Sequence, residues 1–258
     1  MTSMTSGGQR PLPTPRPLPG FDDIALFLDL DGTLADFEAR PEDVRPEPWR
    51  TSLLRQLQGR LDGRLAVISG RSLEEVDRIL EGSVTAVGAV HGLVRRTGDG
   101  MVEGVPADPA LAEARVQLER FVAAHPGLML EDKQVSLAIH SRQAPELSAA
   151  ARGEAERICA GTTLKLQPGE LVTEVRTAGA DKGAAVHAFM QEHPFKGSLP
   201  VFVGDDLTDE DGFRVARALG GVSVLVGPIR PTGADLRLED VEAVRAWLEA
   251  GLMQSAET

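Results

Sequence analysis

The stretch IALFLDLDGTL, residues 24–34, decides the fold class, because its apolar run ends abruptly at Asp31-Gly32-Thr33. A strand buried on both faces of a sheet has this pattern where the chain emerges into a loop. Similar apolar runs recur later, and amphipathic helical patterns separate them. The runs are RLAVIS at 64–69, VTAVGAV at 84–90, PVFVG at 200–204 and VSVLVG at 222–227, and the helical patterns lie at 73–80, 183–191 and 210–219. The alternation predicts an α/β fold with helices on both faces of a parallel sheet.

A different pattern interrupts this alternation in the middle of the chain. It predicts a helix over 109–124, two short strands, a second helix over 145–160 and two more short strands. We therefore expect an inserted α+β lobe and a core that is discontinuous in sequence. The expected division is a core of 21–98 and 180–258, a lobe of 99–179, and a disordered tail of 1–20 that is rich in Pro, Gly, Ser and Thr.

Composition and charge exclude several classes of function. The 258 residues include 39 acidic and 27 basic side chains, a net charge of -12, without a run of Lys or Arg suited to nucleic acid. The sequence contains no stretch near the roughly 20 apolar residues of a membrane span, and its start lacks the apolar core of a secretory signal. The single cysteine, Cys159, fits a reducing compartment. We expect a cytoplasmic protein, favour a monomer, and expect neither nucleic acid nor a membrane as partner.

Polar residues follow several predicted strands at the edge where an open α/β sheet binds its ligands. Two carboxylates that lie close together at one sheet edge repel each other unless a cation lies between them. At an intermediate dielectric constant the Coulomb energy of such a pair is on the order of several kcal/mol. Oxygen ligands of this kind favour Mg²⁺, and the five histidines lack zinc spacing. The residues at this edge are Asp29, Asp31, Thr33, Ser69, Gly70, Arg71, Asp181, Lys182, Asp205, Asp206 and Asp209.

These residue types suit phosphoryl transfer. Asp29 is the candidate nucleophile, which would form an acyl phosphate and divide hydrolysis into two steps. Asp31, two residues later on the same side of the strand, is the candidate acid and base. Thr33, Ser69 and Lys182 are candidates for binding the equatorial phosphoryl oxygens.

Four motifs in order resemble those of the haloacid dehalogenase-like (HAD) hydrolases. They are DLDGTL at 29–34, SGR at 69–71, Lys182 and GDDLTDEDGF at 204–213. The resemblance implies a Rossmann-like core, with Asp29 as nucleophile and Asp31 as acid and base. It also implies a magnesium site formed by Asp29, the main-chain carbonyl of Asp31 and Asp205, with Asp206 and Asp209 in support.

Further stretches resemble the trehalose-6-phosphate phosphatases over about residues 21–248. They are GAVHG at 88–92, EDK at 131–133, HSRQAP at 140–145 and VTEVR at 172–176. The resemblance implies an inserted αββαββ cap of the C2B type, in which Glu131, Lys133 and Glu174 bind hydroxyls of the distal glucose of a sugar phosphate. Further candidates for substrate contact are Gly70, Arg71, His91, Gly92, His140 and Arg142.

Several alternatives remain open from the sequence. Glu131, Lys133 and Glu174 could equally form surface charge pairs on strands, and Thr177 and the linker TAGAD at 177–181 depart from the family pattern. Other functions with the same motifs are a capped phosphatase for sucrose phosphate or a phosphomannosyl compound, a phosphoacceptor signalling module, and an inactive partner of a sugar synthase.

Overall fold

The structure is a computed structural model that describes residues 12–16, 23–38, 40–169 and 171–254. The helices are α1 (Pro48–Arg60), α2 (Leu73–Leu80), α3 (Ala110–Ala123), α4 (Ser148–Ala160), α5 (Lys182–Met190), α6 (Asp209–Ala218) and α7 (Val241–Gln254). The strands are β1 (Ile24–Leu28), β2 (Leu65–Ile68), β3 (Ala86–Ala89), β4 (Val94–Arg96), β5 (Val102–Gly104), β6 (Met129–Asp132), β7 (Ser136–His140), β8 (Lys165–Gly169), β9 (Val172–Arg176), β10 (Leu199–Gly204), β11 (Val222–Val226) and β12 (Leu236–Leu238).

An eight-stranded sheet forms the core, in the order β12-β11-β10-β1-β2-β3-β4-β5. The first six strands in this order are parallel, and β4 and β5 add an antiparallel edge. Every residue of β1 is buried, and its alternate side chains enter two different apolar clusters. Helices α1, α2 and α7 pack on one face, and α5 and α6 on the other. The predicted α/β fold is confirmed.

The strands β4, β5 and β12 were not predicted from the sequence. Each has three residues, and the sequences VRR, VEG and LRL lack a recognisable apolar run. Strand β5 pairs with β4 in the large sheet. The division expected after residue 98 therefore assigns to the lobe a strand whose hydrogen bonds place it with the core sheet.

The inserted lobe has its own sheet and its own apolar core. Four antiparallel strands in the order β6-β7-β9-β8 pack against α3 and α4. The chain order is α3, β6, β7, α4, β8, β9, so the expected αββαββ arrangement is confirmed. The second helix begins three residues later than expected, after a 3-10 turn at Pro145–Leu147.

Residues 12–16 contact the core, although we expected residues 1–20 to be a disordered tail. Arg237 donates its backbone N–H to the carbonyl of Pro13 (3.0 Å), and the Trp247 indole donates to the carbonyl of Arg16 (2.8 Å). The remainder of the expected tail lies outside the described residues. Across the described ranges, we find no helix with the length and apolar character needed to cross a membrane.

Candidate active site

Three carboxylates from two distant parts of the chain converge at the carboxyl edge of the large sheet. Asp29 follows β1, Asp205 follows β10 and Asp209 begins α6. Strands β1 and β10 are hydrogen-bonded neighbours, and Asp29 donates its backbone N–H to the carbonyl of Val203 (2.9 Å). One carboxylate oxygen from each of the three residues lies within 4.8 Å of the other two. The rule that parallel strands end at one edge therefore places these groups together.

Lys182 is buried between two of these carboxylates. Its ammonium group donates to Asp29 Oδ1 and to Asp209 Oδ1, each at 2.8 Å. Helix α5 begins at this lysine because Asp181 caps it, accepting a hydrogen bond from the backbone N–H of Ala184 (2.7 Å). The lysine is thus fixed at the first turn of α5, directly against the candidate nucleophile.

The second oxygen of Asp209 orders the loop that carries Asp205 and Asp206. Asp209 Oδ2 accepts from the backbone N–H groups of both residues at 3.0 Å. The Asp206 carboxylate accepts from the Thr208 N–H (2.7 Å) and hydroxyl (2.6 Å). Asp206 therefore lies beside the three-carboxylate group with its oxygen Oδ1 already hydrogen-bonded within the loop.

The electrostatics of this cluster suit an added cation. Burial raises the pKa of Asp29 well above its usual range although Lys182 opposes the shift, and burial with Asp209 and Asp206 nearby raises the pKa of Asp205 to about 7. Burial would lower the pKa of Lys182, but Asp209 and Asp29 raise it well above its usual value. Within the described residues, Lys182 thus binds two of these four neighbouring carboxylates directly.

An observation on Asp205 supports the same conclusion. Its oxygen Oδ1 is buried and has no hydrogen-bond donor within the described part of the chain. A buried carboxylate oxygen without a donor is costly unless a cation or water satisfies it. The residues present therefore fit a hard divalent cation such as Mg²⁺.

Asp31 and Arg71, expected as acid/base and substrate contact, are paired with each other. Arg71 donates to both carboxylate oxygens of Asp31, each at 2.7 Å. The guanidinium is also bound by Glu75 (3.0 Å) and by the carbonyl of Pro41 (2.9 Å). The bidentate arrangement fixes Asp31 at the rim of the cluster.

The two expected hydroxyl donors lie nearby in the core. Thr33 is fully buried, and its hydroxyl has no partner among the residues that the structure describes. Ser69 is also buried, and its hydroxyl oxygen accepts from the backbone N–H of Arg71 (3.1 Å). Ser69 directly follows β2, and Thr33 lies in the turn after β1.

A polar group on the lobe faces the core. Lys133 donates to the carbonyl of Gly70 (2.9 Å), and its ammonium group lies 3.7 Å from Glu174 and 3.8 Å from Glu131. Burial would raise the pKa of Glu174, but Lys133 and His91 hold it well below its usual range. The side chains of Glu174 and Lys133 are only 4% and 8% exposed. The alternative that they form solvated surface pairs therefore does not hold for these two residues.

Two histidines extend this group. The Nε2 atom of His91, a core residue, lies 3.2 Å from Glu174 Oε2, and the Nε2 atom of His140 lies 2.8 Å from Glu131 Oε2. Burial lowers the pKa of His91, although Glu174 opposes the shift. The His91 ring packs on Gly70, where a Cβ atom would approach it to 2.6 Å. Glycine at this position is therefore needed for the ring to lie against the strand end.

Two other expected substrate contacts have different surroundings. Gly92 packs beneath the N-terminus of α5, where a Cβ would lie 2.6 Å from the carbonyl of Asp181. Arg142 donates to the carbonyl of Glu38, and its guanidinium lies 5.6 Å from the centre of the Phe37 ring. Gly92 thus has a packing role, and Arg142 joins the lobe to the loop after the first motif.

The chain enters the lobe through residues 105–109 and returns to the core through the short linker 177–181. Glu174 lies on β9, and Arg176 at the end of that strand donates to the carbonyl of Ala180 (2.6 Å). The linker then leads into the capping residue Asp181 and Lys182. Sugar-facing and phosphate-facing candidates therefore lie on one ordered segment.

Arg230 also lies at this edge and was not predicted from the sequence. It lies in the segment GPIRPTG between β11 and β12 and bonds to the loop of Asp205. The glycines and prolines of that segment indicate only a turn, so the local pattern contains no signal for this contact.

Comparison with known proteins agrees with this arrangement. The family model for trehalose-phosphatase matches residues 27–242. Trehalose-6-phosphate phosphatase of Escherichia coli is 43% identical over 227 residues, which are 87% of this chain and 85% of that protein. The C-terminal domain of C. albicans trehalose-6-phosphate phosphatase has a TM-score of 0.79 at 20% identity, covering 90% of this chain and 92% of that one.

A more distant structure extends the similarity of fold. A Bacteroides thetaiotaomicron phosphatase of the haloalkanoate (HAD) enzyme superfamily has a TM-score of 0.56 at 18% identity, covering 96% of this chain and 100% of that chain. At this identity the match shows the fold alone. The family model covers most of the chain and the bacterial relative is similar along its length, so this chain belongs to the trehalose-phosphatase family.

Proposed function

We propose that this protein hydrolyses trehalose 6-phosphate to trehalose and inorganic phosphate in a magnesium-dependent reaction. The buried convergence of Asp29, Asp205, Asp209 and Lys182 opposite the polar group of the lobe carries this proposal. The similarity to the trehalose-6-phosphate phosphatase of Escherichia coli supports the choice of substrate. The reaction is expected to occur in the cytoplasm in a monomeric enzyme, which stays a prediction.

The carboxylates of Asp29 and Asp205 and the main-chain carbonyl of Asp31 would hold the metal, with Asp209 and Asp206 ordering the loop. Mg²⁺ bound there polarises the phosphoryl oxygens and offsets the charge of the carboxylates. The residues of the chain do the remaining chemistry.

In the first step, an oxygen of Asp29 attacks phosphorus while the bond from phosphorus to the sugar oxygen breaks. Asp31 gives a proton to the leaving sugar oxygen, which requires that the substrate displace Arg71 from that carboxylate. In the second step, Asp31 takes a proton from water, whose oxygen attacks phosphorus and releases Asp29 and phosphate. Lys182, Thr33 and Ser69 bind the equatorial oxygens in both steps.

The lobe supplies selectivity for the sugar. Glu131, Glu174 and Lys133 present charged groups that each bind several hydroxyls, and His140 and His91 keep the two carboxylates oriented. In the structure Lys133 already contacts the core at the carbonyl of Gly70, and Glu174 contacts it at His91. A substrate would therefore replace contacts between lobe and core by contacts with its hydroxyls.

A substrate panel tests this function. We expect phosphate release from trehalose 6-phosphate to exceed that from glucose 6-phosphate and sucrose 6-phosphate by about 10²-fold or more in kcat/KM, because only the disaccharide that fits meets both ends of the site. Equal rates on the three esters would contradict the proposed role of the lobe. A labelled protein stable for minutes after treatment with acetyl phosphate would instead favour a signalling module.

Replacing Glu174 by glutamine separates sugar binding from chemistry. We expect kcat/KM for trehalose 6-phosphate to fall about 10²-fold, since charge-assisted hydrogen bonds to hydroxyls are lost, while hydrolysis of p-nitrophenyl phosphate changes little. Steady-state kinetics on both esters give the ratio. The exposed Glu146→Gln in the same lobe is the matched control, and an unchanged ratio in Glu174→Gln would exclude a direct role in selectivity.

Gly32→Ala should damage the metal site through Asp205. Gly32 has φ +80°, and a Cβ there would lie 2.3 Å from Asp205 Oδ2. We expect kcat to fall about 10²-fold, since a displacement near 1 Å has effects of that size, and the Mg²⁺ requirement to rise. Gly100→Ala is the control, because Gly100 has φ +89° and open space around it. An equal loss of activity in Gly100→Ala would assign the effect to backbone strain alone.

A further inference from the structure

Arg230 bonds to the backbone of the loop that carries the candidate metal ligands. Its Nε and Nη2 donate to the carbonyl of Asp205 at 3.3 and 3.2 Å, and Nη2 donates to the carbonyl of Asp206 at 2.6 Å. The side chain is 20% exposed, so it lies largely within the protein. One guanidinium therefore holds two consecutive carbonyl groups.

The same loop is held from the other side by Asp209. Asp209 Oδ2 accepts from the N–H groups of Asp205 and Asp206, and Arg230 donates to their carbonyls. The donors and acceptors of both residues are thus fixed by two side chains from different elements. The side-chain oxygen Asp205 Oδ1, by contrast, is buried and has no donor in the described ranges of the chain.

Arg230 binds the main-chain carbonyls of Asp205 and Asp206 and does not bind their carboxylates. A guanidinium placed on the Asp205 carboxylate would occupy oxygen atoms that a metal needs, whereas Arg230 fixes the backbone and leaves them available. An arginine holds its donors in a rigid planar fork, whereas a lysine offers one compact ammonium group on a flexible stem.

Other residues orient Arg230 itself. Its Nη1 forms an ion pair with Glu210, and Glu210 Oε2 accepts from the backbone N–H of Gly233 (2.7 Å). Arg217 bonds to the same segment, through the carbonyl of Gly233 (2.8 Å) and Asp235 (3.1 Å). The contacts of Arg217 are with this segment, whereas Arg230 reaches the loop, so the two arginines can be compared experimentally.

We propose that Arg230 is a positioning residue of the metal site, which fixes the peptide groups of Asp205 and Asp206 so that the Asp205 carboxylate points toward the cation. The proposal rests on the magnesium-dependent function proposed above. It adds a residue from the segment between β11 and β12, outside the four motifs. Its effect passes through the backbone of the metal ligand, without contact with the substrate.

The test compares R230M, R230K and R217M with the wild-type protein after removal of metal with a chelator and dialysis. Titration calorimetry with Mg²⁺ alone measures the affinity, and thermal melting without metal measures stability. We expect R230M to bind Mg²⁺ about 10–100-fold more weakly, as for other residues that orient metal ligands. R230K should be intermediate, and R217M should match the wild type in Mg²⁺ affinity.

Kinetics provide a second readout. The Mg²⁺ concentration for half-maximal phosphate release should rise in R230M by the same factor. The KM for trehalose 6-phosphate at saturating Mg²⁺ should stay within about threefold of the wild-type value, because Arg230 does not contribute to binding of the sugar. If R230M does not fold, the Mg²⁺ affinity of R230K, weakened or unchanged, decides the question.

Two results would overturn the inference. Unchanged Mg²⁺ affinity in R230M, or in R230K if R230M is unfolded, would show that Arg230 only stabilises the fold. An equal loss of affinity in R217M would assign the effect to general loosening of the segment. Wild-type protein that binds no Mg²⁺ and hydrolyses the ester without it would instead overturn the proposed metal use.

Discussion

Asp29→Asn should reduce phosphate release from trehalose 6-phosphate by at least about 10⁴-fold in kcat, the scale expected when a nucleophile is removed. The amide has nearly the same shape as the carboxylate, but its oxygen is a poor nucleophile and cannot form the acyl phosphate. Asp29 is 4% exposed and contacts Lys182, so another side chain has little room to replace it.

The folded state of this variant should remain intact. Asparagine removes one of four crowded carboxylates, which offsets the lost contact with Lys182, and Asp209 still accepts from that lysine (2.8 Å). Thermal melting without metal should therefore show no large loss of stability. The exposed Asp36→Asn in the following loop is the control and should keep wild-type activity.

Trapping of the intermediate gives a direct check. Acid quenching during turnover of ³²P-labelled trehalose 6-phosphate should leave label on the wild-type peptide that contains Asp29 and none on that of the variant. Full activity of Asp29→Asn in chelated buffer would contradict both the nucleophile and the metal requirement. Label on another residue would contradict the assignment of Asp29 as the nucleophile.

Lys182→Met should lower activity and stability together. Methionine has similar length without the charge, so Asp29 and Asp209 would face each other without the ammonium group between them. We expect a loss of about 3–5 kcal/mol in the free energy of unfolding, as when one partner of a buried ion pair is removed, and a fall in kcat of about 10³-fold from the missing phosphoryl contact.

Added Mg²⁺ separates the two effects. The cation should restore part of the thermal stability of Lys182→Met by lying among the same carboxylates, while kcat stays low because the ammonium contact with the phosphoryl group is absent. Lys196→Met, at an exposed position, is the control. Activity within about tenfold of wild type at saturating Mg²⁺ would exclude a contribution of the size expected for transition-state electrostatics.

Much of this arrangement can be predicted from the sequence, because the two rules that apply, the pattern of apolar runs and the common edge of parallel strands, both concern the backbone. Apolar runs identify β1 and β10, and the common edge of parallel strands brings Asp29, Lys182 and Asp209 together. These rules give no side-chain orientation. The pairing of Asp31 with Arg71 therefore could not be predicted, because it depends on the position of α2 and of the Pro41 carbonyl.

Other features lacked a local signal. The strands β4, β5 and β12 have three residues each, too few for a period to be recognised. Arg230 acts on carbonyl groups, and any sequence can supply those, so its partners have no signature in residue type. Gly92 was expected near the substrate, and only the spatial neighbour Asp181 shows why glycine is needed there.

The linker 177–181 has a consequence for which esters the enzyme can accept. Glu174 and Lys182 lie eight residues apart on one continuous segment, with Arg176 and Asp181 fixing its two ends. The length of this segment is therefore one constraint on the distance between hydroxyl recognition and the reacting phosphorus, beside the second crossing at 105–109 and the contact of Lys133 with Gly70. We expect insertions or deletions there to change the permitted size of the sugar, even when every motif residue is retained.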